Sequence, residues 1–266
     1  MAVIRLTPEL RVEYQSLFNT CHIRDSRIQQ VEDIIDAIEQ HRSRYLAVGE
    51  ALGIPWYVIA VIHNMESSLD FTRHLHNGDP LTRRTVHIPR GRPVEGHPPF
   101  TWETSAIDAL TLENFHRWND WTVPGILYKL EEYNGWGYRL YHPHVLSPYL
   151  WSFSEHYSRG KYTADGRWSE TAVSRQAGAA VLLRRMAEQE SFIFSDPEAA
   201  ALLGAEMPPL RYSVSEHSAY AQALQIFLNN FPGIYLRVDG YPGTKTSDAF
   251  KDITGYYLYG DPRSET

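Results

Sequence analysis

Apolar residues recur at Ile28, Val31, Ile34, Ile35 and Ile38, the spacing of one face of a helix. The pattern predicts one long helix or a broken pair over residues 25–53, capped by Asp25 or Ser26 and ended by Gly53. Pro55 then suits the first turn of a new helix, where its missing N–H costs nothing. The run Trp56-Tyr57-Val58-Ile59-Ala60-Val61-Ile62 that follows has no polar face. A helix that is apolar all round belongs at the centre of a helical domain. This one runs into Glu66, and desolvating a carboxylate costs roughly several kcal/mol unless it is paired or protonated.

Beyond Glu66 the pattern changes. Residues 74–101 are rich in Pro and Gly, with a turn at Asn77-Gly78-Asp79-Pro80 and a short hairpin expected across Thr82, Thr85, Val86 and Ile88. A loop of this length within a compact domain is usually functional or disordered. Helical spacing returns from Thr104 to Trp118, capped by Thr104 or Ser105. It returns again after Pro124 through Glu132, and in an amphipathic stretch from Glu170 to Glu190. Between these lie three aromatic, Gly-rich loops, "NGWGYR", "SPYLWSF" and "GKYTADGRW". A boundary is expected in "AEMPPLRYS", residues 205–213, giving domains at 1–205 and 213–266. The tail holds a helix with Leu224, Ile226, Phe227 and Leu228, turns at Asp239-Gly240 and Pro242-Gly243, and a second helix from Thr246. At this size it sits near the limit of a self-supporting core.

The chain has 266 residues and a formal net charge of -7. A mildly acidic chain without a basic block makes a poor nucleic-acid partner. The single cysteine, Cys21, allows no intrachain disulfide and reads as a buried apolar residue. No stretch reaches the length of a membrane span, and the N-terminus is too polar for a signal peptide, so a soluble protein is expected.

The candidate chemistry starts at Glu66. A carboxyl at the end of a buried helix, facing a polar loop, stays protonated near neutral pH and suits a general acid. Glycoside cleavage needs such a group, with a second carboxylate to hold water or to stabilise charge on the ring. Asp79 and Asp70 are the candidates for that role, and Thr82 or Thr85 for positioning the water. The bland alternative for Glu66 is a helix-end ion pair with Arg73 or Arg83. Trp136, Tyr138, Tyr149, Trp151, Tyr157, Tyr162 and Trp168 all fall in loop-like stretches, and aromatic faces stack on sugar rings as readily as they fill a core. Of the 12 histidines, His74 and His76 with His63 or Asp79 form one conceivable zinc group, and His142 and His144 are also paired. No His-Glu-x-x-His and no G-x-S-x-G is present, so neither a metal, a cofactor nor a serine triad is expected.

"HNMESS" at the end of a buried helix resembles the Glu-Ser motif of the lysozyme-like superfamily, which includes lytic transglycosylases and goose-type lysozymes. "EEYNGWGYR" resembles the substrate-binding element of those enzymes. The resemblance implies a mostly α, lysozyme-like domain with a small β-hairpin or loop region. It makes Glu66 the acid, places Tyr133 and Asn134 beside the sugar, and gives Asp79 the place of the second carboxylate, with Thr82 or Thr85 positioning water. Tyr149 and Trp151 are further candidates for binding substrate. "ALQIFLN" and "LRVDGYPGTKTSDAFK" resemble a three-helix peptidoglycan-binding module, through Leu224, Gln225, Leu228, Val238, Asp239, Gly240, Gly243, Thr246 and Ala249. The module's closing "FQ" is absent after Phe250. The expectation is therefore a glycoside hydrolase acting on the β-1,4 glycan strands of peptidoglycan at the cell wall. A lytic transglycosylase, a chitinase or chitosanase, and a non-catalytic wall-binding protein are the alternatives.

Overall fold

A computed structural model describes residues 4–164, 166–189, 191, 210–231 and 233–265. The chain forms two compact units, residues 1–197 and 198–266. Part of the expected boundary, residues 205–209, lies outside the described residues.

The first unit is mostly helical. Its elements are α1 (Pro8–Asn19), α2 (Ile28–Gln40), α3 (Arg42–Leu52), α4 (Trp56–Ser67), α5 (Trp102–Leu112), α6 (Val123–Asn134), α7 (Gly137–Tyr141), α8 (Pro148–Trp151), strands β1 (Lys161–Ala164) and β2 (Arg167–Ser169), and α9 (Ala179–Glu188). Helix α1 has no counterpart in the sequence reading. Thr7 caps it by accepting from the Leu10 N–H, Pro8 opens its first turn, and it buries Leu10, Tyr14 and Phe18.

The stretch over residues 25–53 is a broken pair. A short 3₁₀ turn, Asp25–Arg27, precedes α2, and the chain bends at His41 before α3. Neither Asp25 nor Ser26 caps α2 through its side chain. Gly53 ends α3 in the left-handed region, at φ 68°. Helix α5 starts earlier than its spacing suggests, because Thr101 rather than Thr104 or Ser105 takes the cap position and accepts from the Thr104 N–H. Among the described residues of the amphipathic stretch from Glu170 to Glu190, only α9 is helical.

Helix α4 is the centre of this unit. Every residue from Trp56 to Asn64 is buried, and α3 and α9 pack against it. Helix α8 packs on α9 and on α6, and α6 packs on α1. Gly178, at the start of α9, makes the α8–α9 contact possible: a Cβ there would overlap the Leu150 carbonyl.

The expected hairpin over Thr82 to Ile88 is absent; that segment is a series of bends held by side chains. His74 Nε2 bonds the Arg83 carbonyl at 2.8 Å, and its Nδ1 bonds Ser105 Oγ at 2.8 Å. Arg92 and His76 both bond the Asp108 carboxylate. Pro89, Pro93, Pro98 and Pro99 remove the N–H donors that a strand pair would need. The two-stranded antiparallel sheet lies instead in "GKYTADGRW", pairing Lys161 with Ser169 and Tyr162 with Trp168.

The second unit contains α10 (Ala219–Leu228), α11 (Thr244–Thr254) and a short 3₁₀ helix, Pro262–Glu265. Its hub is Gln225, only 2% exposed. The Gln225 amide donates to Asp239 Oδ1 at 2.9 Å, to the Tyr241 carbonyl at 3.1 Å and to Thr246 Oγ1 at 3.1 Å. Its carbonyl accepts from the N–H groups of Asp239 and Gly240, at 3.0 and 2.9 Å. Gly240 holds φ 74°, and a Cβ there would also meet the His217 ring. One side chain thus fastens helix α10, the Val-Asp-Gly turn and the first turn of α11.

Replacing Gln225 by Leu removes these bonds and leaves the buried Gly240 N–H without its acceptor, at about 1–3 kcal/mol. Amide hydrogen exchange at Asp239 and Gly240 is expected to accelerate to the rate of an opened unit, while amides of α4 remain protected. Unchanged protection at both residues would contradict the hub role.

Candidate functional site

Helix α4 carries Glu66 on its last turn. The helix stops because Ser68 and Leu69 both take positive φ, at 52° and 61°. Neither is glycine, so each left-handed residue costs on the order of 1–3 kcal/mol. This strain sits directly after the candidate acid. Gln176, in the segment leading into α9, donates to the carbonyls of Asn64 at 3.0 Å and Met65 at 2.8 Å. Together the strained turn and this clamp fix the height and rotation of the helix end.

Glu66 is half-buried as a residue, and its carboxyl lies in a desolvated place. Burial pushes its pKa up from 4.5 to about 7; a hydrogen bond from Tyr149 opposes the rise, and the negative charge of Glu113 adds to it. Tyr149 donates its hydroxyl to Glu66 Oε1 at 3.3 Å, which leaves Oε2 to carry the acid proton. Burial and the nearby Glu66 charge hold the hydroxyls of Tyr133 and Tyr149 well above the usual tyrosine range, so both stay neutral donors. Arg73 is not the partner of Glu66: it bonds Asp70 Oδ2 at 2.8 Å and the Gly78 carbonyl.

Three elements converge on this carboxyl. Helix α4 brings Glu66, the last turn of α6 brings Tyr133 and Asn134, and α8 brings Tyr149. The chain leaving α6 is held by Arg139, which donates to the buried Glu131 at 2.9 Å and to Glu13 at 2.9 Å.

Two cavities lie along the end of α4, with volumes of about 590 and 660 Å³. They share Met65, Lys161, Ser174 and Gln176 in their walls, so they lie side by side along the helix end. The first is lined by Asn134, Tyr149, Tyr138 and Tyr141, with the β1–β2 hairpin as its outer wall. The second continues past Asn64 and Leu69 to Asp33 and Ile34 on α2. Glu66 itself is not among the lining residues; Met65 before it and Tyr149 bonded to it are.

The other expected site residues are placed elsewhere. Asp79 is buried in its own loop, where Oδ2 accepts from the N–H groups of Val86 and His87 and Oδ1 bonds His87 Nδ1 at 2.6 Å. These hydrogen bonds hold its carboxyl far below the usual carboxylate range, although burial alone would raise it. Thr82 is exposed, and Thr85 is buried with its hydroxyl bonded to Pro89 and Arg92 in the same loop. Asp70 is committed to Thr72 and Arg73. Trp151, expected to bind substrate, is 1% exposed and belongs to the core. Tyr157 is core as well, and Trp136 packs on Tyr128, whereas Tyr138, Tyr149 and Tyr162 do line the groove. His63, imagined as a metal ligand, is buried among Tyr45, Phe71 and Trp102, and burial lowers its pKa to about 4.

Gln176, Glu113 and Lys161 did not emerge from the sequence. Gln176 lies where a helix was expected, and no local pattern marks a side chain that reaches another element's carbonyls.

The raised pKa of Glu66 has a stability consequence. The folded state holds a proton that the unfolded chain releases near 4.5, so stability falls as pH rises from about 4.5 to about 7. At about 1.36 kcal/mol per pH unit, reduced for the partial exposure of the residue, this amounts to about 2–3 kcal/mol. Glu66→Gln is therefore expected to stabilise the protein at pH values above about 7 and to be nearly neutral below about 4.5. Urea unfolding of both forms at the two extremes checks this, and equal stability of the two forms above neutrality contradicts it.

Comparison of this chain with models of known families, with curated proteins and with solved structures finds no match in any of the three.

Proposed function

We propose that this protein cleaves the β-1,4-linked glycan strands of peptidoglycan, with Glu66 as the general acid. One observation carries the reading: a carboxyl at the end of a helix buried from Trp56 to Asn64, with its pKa raised to about 7, beside a groove lined by tyrosines. A glycosidic oxygen needs a proton as its bond to the anomeric carbon breaks, and a neutral carboxyl in a desolvated place supplies it. Tyr149 holds Oε1 and so aims Oε2 at the leaving oxygen. After transfer, the same hydrogen bond stabilises the carboxylate that remains. Tyr141 and Tyr162 offer aromatic surface for sugar rings, and Asn134 is exposed at the groove to bond their polar groups.

The second unit supports this reading through the residues that resemble a wall-binding module. Gln225, Asp239, Gly240 and Thr246 meet at one hub, so they act as one structural set. Tethering to the polymer would raise the effective concentration of glycan at the groove.

A second reading is lytic transglycosylation, in which a hydroxyl of the substrate closes on the anomeric carbon in place of water. The commitment of Asp79 to Val86 and His87 favours it, since the expected second carboxylate is then not free to prepare a water. Digestion of purified peptidoglycan separates the two: reducing ends mark hydrolysis and 1,6-anhydro ends mark transglycosylation.

Glu66→Gln is expected to lower cleavage by roughly a hundredfold or more while the protein still binds the wall. Near-wild-type cleavage would sink the assignment, and wall binding without cleavage by the wild type would mark a non-catalytic binder.

Because the acid must be protonated, activity is expected to fall as pH rises through about 7. Tyr149→Phe removes a bond that favours the carboxylate, so this descending limb should move to higher pH. A limb that stays in place in the variant contradicts the role given to Tyr149.

A further inference from the structure

Beside the β1–β2 hairpin, three side chains meet that the proposed reaction does not use. His142 and His144 follow α7, and Glu170 follows β2. One donor atom from each lies within 4.8 Å of the others. His144 Nε2 and Glu170 Oε2 are 3.7 Å apart. Two ligands on a tetrahedral zinc ion, each about 2.0–2.1 Å from the metal, stand roughly 3.3 Å apart. Side-chain rotation of a few tenths of an ångström brings this pair to that spacing.

We propose that His142, His144 and Glu170 form a zinc site that fixes the base of the hairpin walling the groove. Two nitrogens and one carboxylate oxygen are a borderline donor set suited to Zn²⁺, with water completing four-coordination.

The surroundings are arranged for ligands rather than for a chance encounter. Trp168 touches two of the three residues. Its ring stacks flat on His142, with centroids 3.5 Å apart and an interplanar angle of 8°. Its Nε1–H donates to Glu170 Oε1 at 2.7 Å, which leaves Oε2 facing His144. Outer partners of this kind set the orientation of metal ligands. The spacing of the histidines is fixed as well, because the Val145 N–H bonds the His142 carbonyl at 2.9 Å and closes a tight turn through Pro143. His142 and His144 are the only other histidine pair at this spacing besides His74 and His76, whose rings are already engaged by Ser105, Arg83 and Asp108.

The site's position gives it a consequence. Trp168 and Tyr162 are cross-strand partners, and Tyr162 lines the groove. A metal joining Glu170 to the turn after α7 ties the end of β2 to that turn. The His144–Glu170 pair is largely exposed and weak by itself.

The test uses the full chain without an affinity tag, stripped with a chelator, titrated with zinc chloride by calorimetry. One equivalent is expected to bind, and His144→Ala and Glu170→Gln should each weaken it by more than about tenfold. Trp168→Phe keeps the stack but loses the Nε1–H, and should weaken binding by about tenfold. Zinc should also slow amide exchange at Tyr162 and Trp168 in the wild type but not in His144→Ala. Far-ultraviolet circular dichroism without zinc shows that the variants are folded. No stoichiometric binding by the wild type, or equal affinity in a protein carrying both His144→Ala and Glu170→Gln, overturns the site. Binding without slower exchange in the hairpin overturns its role in holding the wall.

Discussion

Helix α4 buries its whole circumference from Trp56 to Asn64, so it can neither turn nor slide without opening the core. Val58, Ile59, Val61 and Ile62 are each 0% exposed. Burial of side chains of this size contributes about 1.5–3 kcal/mol apiece. Against that, keeping the Glu66 carboxyl in a desolvated place costs about 2–3 kcal/mol once it ionises. The core therefore holds the glutamate where solvation alone would not leave it. The apolar run and the charged residue at its end are parts of one arrangement, in which the helix sets the environment and the environment sets the proton affinity.

The rest of the site is built by attaching other elements to the end of that helix. Gln176 satisfies the Met65 carbonyl and shares that of Asn64 with the Ser68 N–H, and so joins the lead-in of α9 to the helix. The absence of a side chain at Gly178 lets α8 close on α9, and α8 carries Tyr149. Helix α6, held on α1 and braced by Arg139 on Glu131, delivers Tyr133 and Asn134. The carboxyl and its hydroxyl partners come from parts of the chain far apart in sequence, while the groove beside them is closed by a hairpin of local pairing. The hairpin has few pairings of its own, which is why the contacts of Trp168 with His142 and Glu170 matter to the shape of the groove.

Some of this was legible in the residues. Periodicity and total apolarity identified α2 and α4, because both signals come from burial on a helical repeat. The protonated state of Glu66 followed from the same signal. The Gln225 pattern in the tail also marked residues that meet. Other expectations failed for identifiable reasons. Thr82, Thr85, Val86 and Ile88 have the composition of a hairpin, yet the prolines around them deny it donors, and the histidines His74 and His76 bind the loop instead. Trp151 and Tyr157 sit in loop-like sequence but fill the core, since composition cannot say which way an aromatic ring points. The stretch from Glu170 to Ala177 has a helical pattern, but it is spent on Gln176 reaching α4 and on the close approach at Gly178.

Asp79 bears most directly on the chemistry. A base that activates water must offer a free lone pair to that water, and its affinity for a proton must be sufficient to take one. Asp79 offers neither: two backbone N–H groups and the His87 ring occupy it, and those bonds hold its pKa far below the usual range. Removing it would therefore disturb the loop first and the reaction only through the loop. Glu66 differs in each respect. It has one hydrogen bond, one oxygen left to act, and a proton affinity matched to neutral pH. With Asp79 unable to prepare a water, the acid proposed at Glu66 suits a reaction in which the substrate supplies its own nucleophile. In such a reaction the carboxylate formed in the first step can recover its proton from the attacking hydroxyl in the second. In the proposed reaction Tyr149 would serve both steps from one position, since its hydroxyl already bonds the Glu66 carboxyl.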